Sequence, residues 1–182
     1  MVKAKAILII GMPGSGKDEF AMVAREMGIE VINMGDIVRE FTFGTGVSIS
    51  MSGEIASKER KIHGMDIWAK RTIEKVKSNF VVVEGIRNVE EIVRFRKDME
   101  IGLVVGISSG RDNRFSRLLK RGREDDPRNI DEFSVREKRE LNWGIGEALA
   151  TADRYICNDS TIQEFREKVA EFLRGHIIQG SS

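Results

Sequence analysis

Eight consecutive residues near the start of the chain, Gly11-Met12-Pro13-Gly14-Ser15-Gly16-Lys17-Asp18, have the types and spacing of a phosphate cradle. Glycines let the backbone curl so that its N–H groups converge on phosphate oxygens. The helix that follows adds partial positive charge at its N-terminus, and the lysine reaches the outer phosphates. The pattern G-x-x-x-x-G-K is weak in isolation, and its setting gives it meaning. An apolar run, Ala6 to Ile10, precedes it, and a segment of helical spacing follows from Glu19. A strand, a glycine loop and a helix in that order imply a bound polyphosphate with Mg²⁺. Asp18 stands where the usual motif has Ser or Thr, whose hydroxyl ligates the metal. A carboxylate can do the same but brings negative charge close to the phosphates, which the metal must offset. Asp18 is therefore expected to touch Mg²⁺ directly or through water, while also complementing the dipole of the helix it begins.

A second set of residues suits an acceptor. After the second apolar run comes Met34-Gly35-Asp36-Ile37-Val38-Arg39, in which Asp36 is placed to cap a helix. At the end of the third run Val83-Glu84-Gly85-Ile86-Arg87 sets an acid and an arginine three residues apart, where parallel sheets bind ligands. Glu84 is the candidate second acid near the magnesium, through water, and Arg39 and Arg87 are candidates to clamp an acceptor phosphate. Farther on, Arg111, Arg114, Arg117, Lys120, Arg121 and Arg123 form a basic helix with Arg114, Arg117 and Arg121 on one face. Fixed guanidiniums stabilise the charge that spreads over a transferring phosphoryl group, so Lys17, Arg117 and Arg121 are the expected catalytic residues. The competing reading is a solvated or RNA-binding face, which Glu124, Asp125 and Asp126 weaken by suiting a short charged lid. His63 and His176 lack metal-ligand spacing, and Trp68 and Trp143 fall in helical patterns as packing residues.

The elements that must position these groups follow from periodicity. Apolar runs at Ala6 to Ile10, Ile29 to Ile32, Phe80 to Val83, Ile101 to Ile107 and Tyr155 to Cys157 read as strands buried on both faces. Between them, helical spacing joins Phe20, Val23 and Met27; then Ile55, Ile62, Met65, Ala69, Ile73 and Val76; and later Ile162, Phe165, Val169 and Phe172. Alternating strand and helix predicts a five-stranded parallel sheet with helices on both faces. The stretch Phe43 to Gly53, rich in Gly, Ser and Thr, reads as a loop. The 182 residues suit one domain over 1–179, with a tail at 180–182, an acceptor-binding insert near 36–78 and a lid near 117–132. The 30 Lys and Arg against 29 Asp and Glu give +1, which argues against a general nucleic-acid coat. The single cysteine, Cys157, excludes an internal disulfide and a cysteine-based zinc site and fits a reducing cytoplasm. The first apolar run is too short for a leader h-region, and no stretch reaches the ~18 residues of a membrane helix.

The segments GMPGSGKD, VINMGDIVRE, VVVEGIR, RGREDDP and GIGEALATADRYICND span nearly the whole chain. Together they resemble a largely archaeal family of P-loop proteins related to adenylate kinase. The Ala-Asp before the last strand and the Asn after it are also similar to dephospho-coenzyme A kinase. The resemblance implies a P-loop NTPase of nucleoside-monophosphate-kinase type, with ATP on the loop and residues 157–160 near the adenine. It further implies Asp36, Arg39 and Arg87 at the acceptor, and Arg117 and Arg121 in the lid. Dephospho-coenzyme A kinase carries Asp-Ala-Asp after its second strand, where this chain has Asn33-Met34-Gly35-Asp36. A phosphate acceptor is already deprotonated at neutral pH, whereas a ribose hydroxyl needs a base, for which only Asp36 is evident. A helix-cap role for Asp36 competes with that duty, so the reading favours a nucleoside monophosphate over dephospho-coenzyme A. An ATP-binding regulator or RNA-associated ATPase is the alternative outside the kinases. A GTPase lacks support, since neither D-x-x-G after the loop nor N-K-x-D is present.

Overall fold

A computed structural model of the chain describes residues 3–177. The tail at 180–182 and the last residues of the expected 1–179 unit lie outside the described residues. Five strands, β1 (Lys5–Ile10), β2 (Glu30–Asn33), β3 (Phe80–Ile86), β4 (Glu100–Ser108) and β5 (Arg154–Cys157), form one parallel sheet in the order β2-β3-β1-β4-β5. The helices are α1 (Lys17–Glu26), α2 (Met34–Gly44), α3 (Ser52–His63), α4 (Ile67–Ile73), α5 (Val89–Asp98), α6 (Arg111–Arg121), α7 (Ile130–Asn142), α8 (Ile145–Ala150) and α9 (Ile162–Ile177). Every strand predicted from an apolar run is present, and the fold is the expected α/β one.

Because side chains alternate along a strand, central β1 feeds two cores. Ala6, Leu8 and Ile10 pack on one face with Trp68, Phe95 and Ile145. Ile7 and Ile9 pack on the other with Phe20, Phe165 and Leu173. Helices α1 and α9 cover the second face, and α4, α5 and α8 cover the first. The carboxyl ends of β1 and β3 are thereby brought side by side with the helix N-termini that follow them.

One irregularity matters for the site. Ile9 pairs with Glu84 but Ile10 with Ile86, so Gly85, at φ +96°, is an extra residue bulged out of β3. The bulge keeps Ile86 on the same core face as Val83 while leaving Glu84 and Arg87 at the sheet's edge.

Three sequence expectations need correction. The pattern from Ile55 to Val76 is not one helix, because Gly64 at φ +98° ends α3 and α4 begins only at Ile67. The stretch Phe43 to Gly53 is largely helical: α2 runs to Gly44, a 3₁₀ turn covers Ile49–Met51, and α3 starts at Ser52. Small polar residues there cap and begin helices, as when Ser48 Oγ accepts from the Ser50 N–H. Finally, Asp36 does not cap α2. That position belongs to Asn33, whose Oδ1 accepts from the N–H groups of Gly35 and Asp36.

Candidate active site

The loop between β1 and α1 is shaped by two glycines in the left-handed region, Gly14 at φ +78° and Gly16 at φ +108°. Both also lie where no side chain fits. A Cβ on Gly14 would stand 2.4 Å from the Arg114 carbonyl oxygen, and one on Gly16 would stand 2.1 Å from Asn158 Nδ2. Ser15 is wholly buried, its Oγ without a hydrogen-bond partner, which leaves an open hydroxyl inside the loop. Lys17 Nζ donates to the carbonyls of Gly11 (2.7 Å) and Met12 (3.1 Å). Burial, reinforced by the nearby Arg87 guanidinium, brings the Lys17 pKa down to about 7 against the pull of Glu84 and Asp18.

The loop opens onto a cavity of about 330 Å³, lined by Lys17 and Asp18 and also by Asn158, Ser160, Ile162 and Phe165. Cationic and polar groups for phosphates, together with Ile162 and Phe165 as apolar surface for a flat ring, are what a nucleotide needs. Cys157, exposed, lies just outside this lining. Asn158, whose motif role was only implied by resemblance, proves to steady the cradle: its Nδ2 donates to the Ser15 carbonyl at 2.8 Å. Asp153, also in the tail motif, accepts from the Val104 N–H at 2.8 Å and joins the start of β5 to β4.

The basic helix α6 lies along this cavity. Arg117 donates to Gly14 O (3.3 Å), Ser109 Oγ (2.8 Å) and Asn158 O (2.7 Å), and Arg114 to Pro13 O (3.4 Å). Arg121 bridges two carboxylates, Asp18 at 2.5 Å and Asp126 at 2.6 Å, and Arg123 also reaches Asp18, at 3.2 Å. Burial raises the Asp18 carboxyl, but Arg121 and Arg123 outweigh it and hold the group below its ordinary value, fully ionised. Arg111 and Arg114 share Glu137. The arginines of α6 are thus matched by acids of this chain or turned onto the loop.

Glu84 is buried and accepts from Asn33 Nδ2 at 2.6 Å; burial raises its pKa, while Lys17 and Arg87 oppose the rise and Asp18 and Asp36 add to it. That set of influences shows Lys17, Asp18, Asp36, Glu84 and Arg87 converging on one region. Arg87 forms an ion pair with Glu140 at 2.5 Å. Arg39 pairs with Asp36 and reaches Asp125 at 3.4 Å. Arg39 and Arg87 line a second, smaller cavity together with Arg60, Arg136, Arg139 and Trp143. The sequence reading singled out none of the last three arginines or Glu140, because nothing local distinguishes them from surface charges on α3 and α7.

The donors present suit both groups the motif implies. The glycine cradle, the buried open hydroxyl of Ser15 and Lys17 fit a polyphosphate. Among the described residues no three His, Cys, Asp or Glu side chains form a metal cage. Mg²⁺ does not require one: it takes one or two carboxylates and fills its octahedron with water and phosphate oxygens, a role open to Asp18 and Glu84.

The comparisons with known proteins fit this geometry. Residues 10–134 match the AAA domain family. The UPF0200 protein Ta0179 of Thermoplasma acidophilum is 46% identical over 170 residues, covering 92% of this chain and 94% of that protein. The chain belongs to the UPF0200 family. A second UPF0200 relative, PH1008 of Pyrococcus horikoshii, is 41% identical over 176 residues, covering 92% of this chain and 95% of that one. The motif-based resemblance to an archaeal P-loop family therefore stands. Among solved structures, shikimate kinase from Acinetobacter baumannii in complex with shikimate superposes with a TM-score of 0.62 at 14% identity, covering 100% of this chain and 96% of that one. TT1252 from Thermus thermophilus gives 0.61 at 14%, covering 95% and 98%. Likeness at that identity establishes the kinase-like P-loop fold of this UPF0200 protein. No helix among its described residues is long and apolar enough to cross a membrane.

Proposed function

We propose that the protein is an ATP-dependent phosphotransferase that moves the γ-phosphoryl group of ATP to an anionic acceptor, a nucleoside monophosphate on the sequence reading. The observation that carries this is the ion-pair link between two cavities, since Arg121 of the first and Arg136 of the second both bind Asp126. One joins the cradle to an apolar recess, the other is lined by arginines, and Lys17, Glu84 and Arg87 influence one another between them. In this reading residues 11–18 hold the triphosphate, and the recess beside Asn158 and Phe165 holds the base. Asp18 and Glu84 hold Mg²⁺, which when bound neutralises the phosphate oxygens. Lys17, Arg117 and Arg121 stabilise the transferring group as its bond to the β-phosphate oxygen breaks and a bond to the acceptor oxygen forms, releasing ADP. Arg39 and Arg87 orient the acceptor, residues 36–78 form its insert, and 117–132 act as a lid within one unit. The protein then works in the cytoplasm.

A specific observation favours a second reading, transfer to a hydroxyl. With Asn33 as the cap of α2, the Asp36 carboxylate is 65% exposed and free of capping; it pairs with Arg39, and serves as a base once a bound acceptor draws that guanidinium onto itself. This removes the ground on which dephospho-coenzyme A was ranked below a monophosphate. The RNA-associated alternative loses support from the ion pairs that occupy Arg111, Arg114 and Arg121. The test is ADP release from ATP·Mg²⁺ with AMP, CMP, UMP, GMP, dephospho-coenzyme A or a small hydroxy acid, with the phosphorylated product identified by mass. Stimulation by one acceptor is expected. Slow hydrolysis indifferent to all of them would overturn the proposal.

A further inference from the structure

The second cavity holds more cationic capacity than the acceptor roles of Arg39 and Arg87 use. Those two arginines are matched by Asp36, Asp125 and Glu140. Arg60 and Arg139 differ. Arg60 is only 5% exposed; one terminal nitrogen donates to Glu91 at 2.9 Å, but Nε and Nη1 are buried with no hydrogen-bond partner. Arg139 has a buried, unpartnered Nε, and its salt bridge is a 3.7 Å approach to the half-exposed Glu54. Both guanidiniums stand by the Trp143 ring, at 4.4 Å for Arg60 and 5.5 Å for Arg139. A buried guanidinium with unspent donors is costly unless an acceptor atom arrives to meet it.

The start of α3 completes the arrangement. Ser52 and Gly53 line the same cavity, and no side chain caps this twelve-residue helix. Gly53 lets Arg139 rest on this turn: a Cβ there would stand 2.2 Å from the Arg139 guanidinium carbon and push the side chain off the helix end. The helix N-terminus contributes partial positive charge at the spot where Arg139 rests. Two carboxylates also line the cavity, Glu140 in an ion pair with Arg87 at 2.5 Å and Asp125 in ion pairs with Arg39 and Arg136 at 3.4 and 3.8 Å; Glu140 Oε2 and Asp125 Oδ1 accept no hydrogen bond, and the five arginines of the lining outnumber these two acids.

We propose that Arg60, Arg139 and the N-terminus of α3 form an anion subsite within the acceptor cavity, with Trp143 as its wall. The acceptor then carries a phosphate or carboxylate remote from the atom that receives the phosphoryl group. The inference rests on the proposed phosphotransferase reading only for calling the ligand an acceptor. The whole arginine-lined cavity encloses about 60 Å³, roughly four to six times what one water requires, so the subsite within it suits a small anionic group. The site thus favours the second reading, transfer to a hydroxyl, because a nucleoside monophosphate carries no anion apart from the phosphate that would receive the phosphoryl group.

The test uses the full chain with the cradle first filled by a non-hydrolysable ATP analogue and Mg²⁺, followed by titration with inorganic phosphate or, separately, malonate. Arg139→Gln and Gly53→Ala are the variants, since neither removes a buried ion pair. Each is expected to weaken the anion about tenfold, the loss of one charge-assisted hydrogen bond, while leaving the analogue's affinity unchanged. The stronger of the phosphate and malonate arms identifies the anion. Equal anion affinity in wild type and both variants would overturn the subsite. Failure of the analogue to bind would instead overturn the ATP reading, and the wild-type-to-variant difference in the anion titration would still decide the subsite.

Discussion

Lys17 is the residue whose chemistry is most exposed to measurement. Its pKa of about 7 in the folded chain lies below the 10.5 of an unperturbed lysine, so between those values the unfolded chain binds more protons and stability rises with pH. Relative to Lys17→Met, the wild type should therefore gain stability as pH climbs from 7 toward 10, as read by urea midpoints. A flat difference would contradict the burial argument. A bound triphosphate would restore the ammonium, so ATP binding at pH 8 should take up nearly one proton, read by calorimetry in buffers of differing ionisation heat. Asp18 makes a second case. Because it is shared by Arg121 and Arg123, Asp18→Asn should weaken Mg²⁺ dependence and also loosen α6, visible as faster hydrogen exchange around residues 117–123. At this scale the sequence revealed the residues joined by a contiguous motif, Gly11 through Asp18, and those at predictable strand ends, Glu84 and Arg87. It could not reveal Arg60 or Arg139, nor what Asn158 of the tail motif does, since each acquires its meaning from a partner far away in the chain, as when Asn158 meets Ser15 across 143 positions.

At the scale of elements, the legible parts were those whose burial is apolar. The five strands stand out because they are buried hydrophobic runs. Helices α5 and α7 were not singled out, and the reason is physical: charged residues occupy part of their buried faces, Glu91 in α5 and Glu140 in α7, which breaks the apolar period. Glu91 is held by Arg60 and by the Arg87 N–H at 2.7 Å, so a stretch that looks polar in sequence is interior in fact. The cap of α2 was assigned to the wrong residue because Asn33 and Asp36 are both good capping types and only the backbone decides. Asn33→Ala should cost about 0.5–2 kcal/mol for the cap and also leave Glu84 without its amide partner, measured by denaturant unfolding. At the helix break, Gly64→Ala should cost about 1–3 kcal/mol by forcing a side chain into a backbone conformation, φ 98° and ψ 156°, that is essentially glycine's alone, with ATP binding intact.

At the scale of the whole molecule, a two-faced sheet anchors everything else. Trp68 is fully buried in the core beneath the arginine-lined cavity and packs edge-on to Phe41 at 5.6 Å. Trp68→Ala should lose about 3–5 kcal/mol, lowering the thermal midpoint sharply. In the proposed reading, ATP·Mg²⁺ at a hundredfold excess over its dissociation constant should add about 2.7 kcal/mol and raise that midpoint by several degrees. A melting curve unmoved by nucleotide would count against the cradle's assigned ligand.

The lone thiol adds a practical consequence. Cys157 is exposed at the end of β5, next in sequence to the asparagine that braces the glycine loop, and it lies outside the cavity lining. A maleimide dye would thus attach at one defined position without engineering, close enough to register rearrangement of the loop through its fluorescence while leaving the recess open.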